Sequence, residues 1–218
     1  MRGAFITFEG TEGVGKSTLS ERAVEQLRGE GLDVLVTREP GGTTLGEQIR
    51  RWILDGDHES LSAEVEALLM FAARGYHLDT VIRPALTSGR WVLCDRFTDA
   101  TYAYQGGGRG MDHAVLDTLK RAVQGTLTPD LTILLDAPIE VGLGRIAGRE
   151  QDHFEREDRA FFERVRSCYL DLAAREPQRF AVIDATLRIE QVWERVSDAL
   201  SVFVDRFASD DVVGSDIG

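Results

Sequence analysis

Apolar residues fall along this chain in two rhythms. Five short runs are apolar almost end to end, at residues 4–9, 33–37, 91–95, 131–136 and 180–184. Continuous rather than alternating apolarity predicts parallel strands covered on both faces. Between them, apolar positions recur at helical spacing over residues 15–28, 44–54, 63–88, 112–124, 139–148, 156–175 and 188–207. Strands that alternate with helices predict an α/β fold: a five-stranded parallel sheet flanked by helices on both faces. Ligands of such sheets lie beyond the carboxyl ends of the strands, where Glu9, Thr37, Asp95 and Asp136 stand.

No internal repeat interrupts this order, so residues 1–208 read as one domain. The stretch 142–158 is dense in charge and glycine and is expected to form a short mobile lid. The acidic tail, residues 209–218, is expected to fray. Trp52 and Trp193 fall in amphipathic helical patterns and read as packing residues.

Composition narrows the class. At 218 residues the chain can bury a full core without disulfide or structural metal. Cys94 and Cys168 are far apart and read as free thiols of a reducing compartment. The first residues lack the apolar stretch of a signal peptide, and no run reaches membrane-spanning length, so a cytoplasmic protein with no membrane partner is expected. A net charge of −12 argues against nucleic acid as a partner. His58, His77, His113 and His153 share no metal-ligand spacing. Of 25 basic residues only Lys16 and Lys120 are lysines, which makes the position of Lys16 informative.

Lys16 closes the string GTEGVGKS at residues 10–17, directly after a strand and at the start of a helix. This is the GxxxxGK[ST] pattern of a P-loop, which implies the P-loop NTPase fold. Its glycines let backbone N–H groups face phosphate oxygens, and the helix N-terminus adds partial positive charge. Lys16 would reach the β- and γ-phosphates and the Ser17 hydroxyl would ligate Mg²⁺. A second motif, WVLCDR at 91–96, ends a strand in Asp95, a metal-holding acid, followed by Arg96, a phosphate clamp. A third, TREPGGT at 37–43, reads either as a plain turn before a helix capped by Thr43 or as the rim of an acceptor site. A fourth, YAYQGGGRG at 102–110, reads either as a flexible loop or as a cover for a base or sugar. In the fifth, Arg145, Arg149, Arg156 and Arg159 stud the predicted lid. A mobile arginine there would meet the charge of a transferred phosphoryl group.

In this order the motifs resemble thymidylate kinases, and the likeness runs from about residue 5 to 200. TREPGGT, the Asp95–Arg96 pair, AYQGGGRG and the late IDAT at 183–186 are its most specific pieces. The resemblance implies transfer of the γ-phosphate of ATP to dTMP with Mg²⁺, and a homodimer packed through helices, for which 63–88 and 112–124 are long enough. It implies that Gly10, Glu12, Gly13, Val14, Gly15, Lys16, Ser17, Thr18 and Arg145 bind ATP, with Arg145 and the 184–186 loop flanking adenine. Glu12 would also accept from the deoxyribose 3′-OH. Arg96 would bind the acceptor phosphate, Arg74 the thymine edge, and Tyr104 would crowd the 2′ carbon. Arg38, Pro40, Thr101 and Gln105 complete the implied acceptor site.

Two positions depart from the family pattern. Some members carry a catalytic arginine inside the P-loop, but here that place is Gly13, which implies an arginine in the lid, with Arg149 the first candidate. The lid itself reads Asp152-His153-Phe154-Glu155, with a neutral histidine where an arginine is usual. Four residues before Arg74, where a phenylalanine is usual, stands Met70; either Phe71 or Met70 then covers thymine, with Phe71 preferred. Other small P-loop kinases, and nucleotide-driven switches, share the first motif. The guanine-reading NKxD of GTPase switches does not occur in the sequence.

Overall fold

A computed structural model describes residues 2–54, 61–146, 154 and 157–214. The sheet is the expected one. Its strands are β1 (Phe5–Glu9), β2 (Val34–Arg38), β3 (Trp91–Asp95), β4 (Leu131–Asp136) and β5 (Phe180–Asp184), all parallel, in the order β2-β3-β1-β4-β5. The three inner strands are buried almost throughout. The edge strands β2 and β5 are half open, so their apolar runs overstate their burial.

The helices are α1 (Lys16–Gly29), α2 (Thr44–Leu54), α3 (Ala63–His77), α4 (Arg83–Thr87), α5 (Thr98–Thr101), α6 (His113–Val123), α7 (Ile139–Ile146), α8 (Arg159–Arg175) and α9 (Ile189–Gly214). The period of two along β1 sorts the core into two layers. Ile6 and Phe8 pack with Leu19, Ala23 and Leu27 of α1 and Val196 and Leu200 of α9. Phe5 turns the other way, against Leu78, Ile82 and Leu86. On that second face Thr7 meets Thr132 through their hydroxyls at 2.9 Å. Glu9 also points there and reaches Tyr169 of α8.

Three local expectations change. The predicted helix 63–88 widens into a π-helical stretch at Leu78–Ile82 before resuming as α4. Pro84 explains this, since its ring crowds the carbonyl one turn upstream and it offers no N–H. The glycine-rich segment after α5 is also π-helical, over Tyr102–Gly108, instead of a loop. Its glycines serve close packing. A Cβ at Gly107 would lie 2.7 Å from Cys168 Cβ, and one at Gly108 2.4 Å from the Phe161 ring. Helix α9 runs to Gly214, beyond the expected end at 207 and into the stretch expected to fray. Of the predicted lid, 147–153, 155 and 156 lie outside the described residues, as do 215–218 of the tail.

A buried ion pair locks α5 to the entry of β5. Arg179 donates to both carboxylate oxygens of Asp99 at 2.7 and 2.8 Å, and also to Thr132 Oγ1 at 2.9 Å. Both residues are nearly inaccessible, and Arg179, which also pairs with Glu176 at 2.8 Å, is the cation that compensates the buried Asp99 carboxylate. Among the described residues no helix is long and apolar enough to cross a membrane, and Cys94 and Cys168 are both free and buried.

Candidate functional site

The site begins where β1 stops. Glu9 ends the strand, and the chain turns through Gly10–Gly15 into α1. Gly13 (φ 71°) and Gly15 (φ 95°) occupy the left-handed region. At Gly13 this freedom is doubly required, because a Cβ there would lie 2.1 Å from the carbonyl oxygen of Gly142 in α7. No side chain fits at position 13, which accounts for the glycine where some relatives of the resembling family place an arginine. Lys16 folds back over the loop and donates to the carbonyls of Gly10 (2.9 Å) and Thr11 (2.7 Å). Its burial and the neighbouring Arg96 cation bring its pKa down to about 8, against the opposing pull of Glu12, Asp95 and Glu9.

Parallel pairing sets the next group beside the loop. Phe8 lies opposite Asp95 in register, and the Arg96 N–H donates to the Phe8 carbonyl at 3.0 Å. Arg96 turns the chain sharply with φ 65°, a conformation that costs a non-glycine residue roughly 1–3 kcal/mol. Its guanidinium donates to Glu12 Oε1 at 2.7 Å and to Tyr169 Oη at 3.2 Å, and sits 4.8 Å from the Tyr104 ring centroid. Tyr104 donates to the same Glu12 oxygen at 2.6 Å. Glu12 therefore gathers a cation and a phenol with one oxygen. Its other oxygen, Oε2, is buried with no hydrogen-bond partner among the described residues.

These groups open onto one cavity of about 380 Å³. It is lined from the P-loop by Glu12, Gly13, Gly15, Lys16, Ser17 and Thr18, and from β3 and α5 by Asp95, Arg96 and Ala100. Pro40, Met70, Tyr104 and Arg145 complete the expected part of the wall. Asp95 Oδ1 is also buried without a partner among the described residues. The Asp95 carboxylate oxygen and the Ser17 hydroxyl, both lining this cavity, suit a hard cation that binds few protein ligands and keeps phosphate and water.

Behind the wall lies a second polar cluster. Arg74 is 1% exposed; it donates to Glu39 Oε2 (2.7 Å) and Thr101 Oγ1 (3.0 Å), and its guanidinium lies about equally close to the Phe71 and Phe97 rings, 4.9 and 5.0 Å from their centroids. Its Nη1 has no partner among the described residues. His77 bridges Glu39 Oε1 (3.0 Å) and Thr37 Oγ1 (2.7 Å). Gln105 is wholly buried and donates to Glu66 at 3.1 Å.

Several expected site residues are thus not at the cavity. Phe71 is buried beneath Arg74 and does not line it, whereas Met70 does. Arg38 points outward and pairs with Glu47 at 3.0 Å on the surface. Thr101 and Gln105 stand behind the wall, Val14 packs in the core, and Gly10 contributes its carbonyl to Lys16 rather than a lining surface. Thr43 caps α2, its Oγ1 accepting from the Gly46 N–H at 2.9 Å. Arg149, Arg156 and His153 lie outside the described residues.

Four further participants were not among the residues assigned a role from the sequence. Arg50 of α2 lines the cavity and donates to the Pro40 carbonyl at 3.1 Å. Burial, with Arg38 beside it, lowers its pKa. Glu39 forms part of the wall while pairing with Arg74. Phe154 closes one side, its ring 5.3 Å from that of Tyr104. Glu9, wholly buried, accepts from the Phe97 N–H and from Tyr169, both at 2.7 Å. Burial and the nearby Asp99 carboxylate push it up to about 8 although Arg96, Tyr169 and the Phe97 N–H oppose the shift. The strand-terminal place of Glu9 was visible in advance, Glu39 stood in the TREPGGT string and Phe154 in the lid pattern at 152–155; Arg50 alone of the four carries no local motif.

Comparison with known proteins accords with this geometry. The thymidylate kinase family matches residues 8–196. A thymidylate kinase of Pseudomonas putida strain GB-1 is 54% identical over 207 residues, covering 94% of this chain and 99% of that protein. One from Ectopseudomonas mendocina strain ymp is 56% identical over 193 residues, covering 88% and 92%. The crystal structure of thymidylate kinase from Ehrlichia chaffeensis superposes with a TM-score of 0.76 at 34% identity, covering 92% of this chain and all of that one.

Glu9 yields a test of the electrostatics. Its folded pKa stands above its ordinary value of 4.5, so between about pH 4.5 and 8 the folded state holds a proton that the unfolded state has lost. Stability therefore falls as pH rises through that window, on the order of 1 kcal/mol per pH unit, and levels off above it. Urea unfolding of Glu9→Gln at pH 5, 6, 7 and 8 should show a correspondingly flatter profile than the wild type. Parallel profiles would mean that Arg96 already keeps Glu9 ionised at pH 5.

Proposed function

The chain belongs to the thymidylate kinase family, and on that premise we propose that it transfers the γ-phosphoryl group of ATP directly to dTMP. The observation that carries the proposal is that one cavity is shared by two kinds of wall. P-loop residues Glu12, Lys16, Ser17 and Thr18 line it together with Arg96, Tyr104, Pro40 and Met70; in this reading Lys16, Ser17 and Thr18 cradle the donor phosphates, and Glu12, Arg96, Tyr104, Pro40 and Met70 receive the acceptor.

Within this reading the acceptor phosphate meets Arg96. Glu12 Oε2, buried without a partner among the described residues, accepts from the sugar 3′-OH. Tyr104, fixed on Glu12 and flanked by Phe154, crowds the 2′ position and disfavours ribonucleotides. Met70, in place of Phe71, covers the base. Arg74 offers its unpaired Nη1 toward the thymine edge, with Thr101 and Glu39 orienting it and Gln105 supporting the layer behind. Arg145 flanks the donor nucleotide, and Arg149 is the candidate lid arginine over the phosphoryl group in flight. Residues 1–208 act as one kinase domain with 142–158 as its lid and 209–218 as a tail.

No general base is needed, because an acceptor phosphate oxygen is already ionised. Transfer is in line, without a covalent enzyme intermediate, and its rate comes from positioning and from cations that meet the developing charge. Lys16 and Arg96, both lining the cavity with Glu12, supply those cations. Ser17 and Asp95 would hold Mg²⁺, which when bound neutralises phosphate charge and orients the donor.

An exposed apolar stripe supports a homodimer. Val65, Leu68 and Tyr76 follow one another at helical spacing on α3 and are 42%, 55% and 49% exposed, and Val115 of α6 is likewise open. The buried, unpaired thiols suit a reducing cytoplasm.

Mg-ATP turnover should be far higher with dTMP than with dUMP, dCMP, AMP, GMP or thymidine, and Lys16→Met should abolish it while leaving the circular dichroism unchanged. A different preferred acceptor would discard the roles given to Arg74 and Tyr104. Full activity in the Lys16 variant would discard the phosphate cradle. Sedimentation at micromolar concentration should give twice the 24.2 kDa chain mass; a monomer would remove the dimer.

A further inference from the structure

Arg96 must stay cationic and free to face a phosphate, yet it is largely enclosed by protein. Its named partners differ in kind. Glu12 is a carboxylate whose Oε1 offsets the guanidinium charge and is shared with Tyr104. Tyr169, 1% exposed on α8, is a neutral phenol that accepts from Arg96 Nη1 at 3.2 Å. A phenol oxygen can fix the direction of a guanidinium without cancelling its charge, so the remaining N–H groups stay available to an anion.

Tyr169 is itself held from behind. Its hydroxyl donates to Glu9 Oε2 at 2.7 Å, and Glu9 Oε1 accepts from the Phe97 N–H at 2.7 Å. Phe97 follows Arg96 directly, so the Glu9 carboxyl grips both the backbone beside Arg96 and the phenol that touches its side chain. The ring of Tyr169 stands 6.4 Å from that of Tyr104, edge to face, which limits its tilt. Burial and the nearby Asp99 carboxylate push the Glu9 pKa up to about 8, which lessens the negative charge it brings to the cluster.

We propose that Tyr169, anchored by Glu9, is a positioning residue that aims Arg96 at the acceptor phosphate. The proposal rests on the function given above, in which Arg96 receives that phosphate. Tyr169 lies 73 positions from Arg96 and shares no motif with it. Packing of α8 across the Tyr102–Gly108 turn brings the two together, and Gly107 and Gly108 permit that approach.

Equilibrium binding of dTMP and of thymidine, measured by calorimetry on the full-length protein, separates aiming from general support. Tyr169→Phe keeps the ring and removes the hydroxyl. It should weaken dTMP binding about tenfold and leave thymidine binding within about twofold, because thymidine has no phosphate for Arg96 to meet. Equal losses for both ligands, or no loss for either, would overturn the proposal. Arg96→Gln is the control for the underlying function and should remove the advantage of dTMP over thymidine. If Arg96→Gln binds dTMP as the wild type does, the phosphate role of Arg96 fails and the aiming role falls with it. If Arg96→Gln loses that advantage and Tyr169→Phe keeps it, only the Tyr169 proposal fails.

Discussion

The parallel register between β1 and β3 is the constraint from which the cavity hangs. With Phe8 opposite Asp95, and Arg38 opposite Asp95 from the other side, three strands end at one level. Their outgoing chains are then stitched by backbone bonds, the Glu39 N–H to the Asp95 carbonyl and the Arg96 N–H to the Phe8 carbonyl. A slip of one residue would turn every side chain to the opposite face. Glu9 would leave Tyr169 and Phe97, and Asp95 would leave the wall. The apolar burial of Ile6, Phe8 and Leu93 against α1 and α9 holds the register, and each such side chain contributes on the order of 2 kcal/mol. Core packing thereby sets the placement of charge.

The charges so placed run against the character of the chain as a whole. The protein carries a net charge of −12, yet the cavity wall holds four basic residues, Lys16, Arg50, Arg96 and Arg145, against three acidic ones, Glu12, Glu39 and Asp95. Glu39 is already paired with Arg74 and His77, and Glu12 with Arg96. Among the described residues, an anion entering here meets a lining whose charges are on balance positive, in a chain that is negative as a whole. Burial adds to this: desolvation and the Arg96 cation lower the Lys16 pKa to about 8, and an anion beside it would favour the charged form.

Much of this was legible in the chain. The strands were visible because parallel strands need long apolar runs. The P-loop was visible because phosphate binding through backbone N–H groups demands glycine at fixed intervals. What escaped depends on rotation and on distant contacts. Adjacent helical residues differ by about 100°, so spacing cannot say which of Met70 and Phe71 lines the cavity; Phe71 packs under the Arg74 guanidinium and Met70 lines the wall. The glycine run at 106–108 reads like a loop, but its small size serves close packing, Gly106 against His113 of α6 and Gly107 and Gly108 against α8. Arg38 sits in a strongly family-like string yet ends an edge strand and faces Glu47. Arg50 and Tyr169 reach the site only because α2 and α8 cross it, and no pattern near either residue announces that.

In the function proposed, donor phosphates and acceptor meet in one cavity with no nucleophilic side chain required between them, which predicts a single displacement at phosphorus. The stereochemical course of transfer from ATP made chiral at the γ-phosphorus with oxygen isotopes tests this directly. Inversion of configuration in the dTDP formed is the expected result. Retention would mean two successive displacements through a phosphorylated enzyme and would contradict the account.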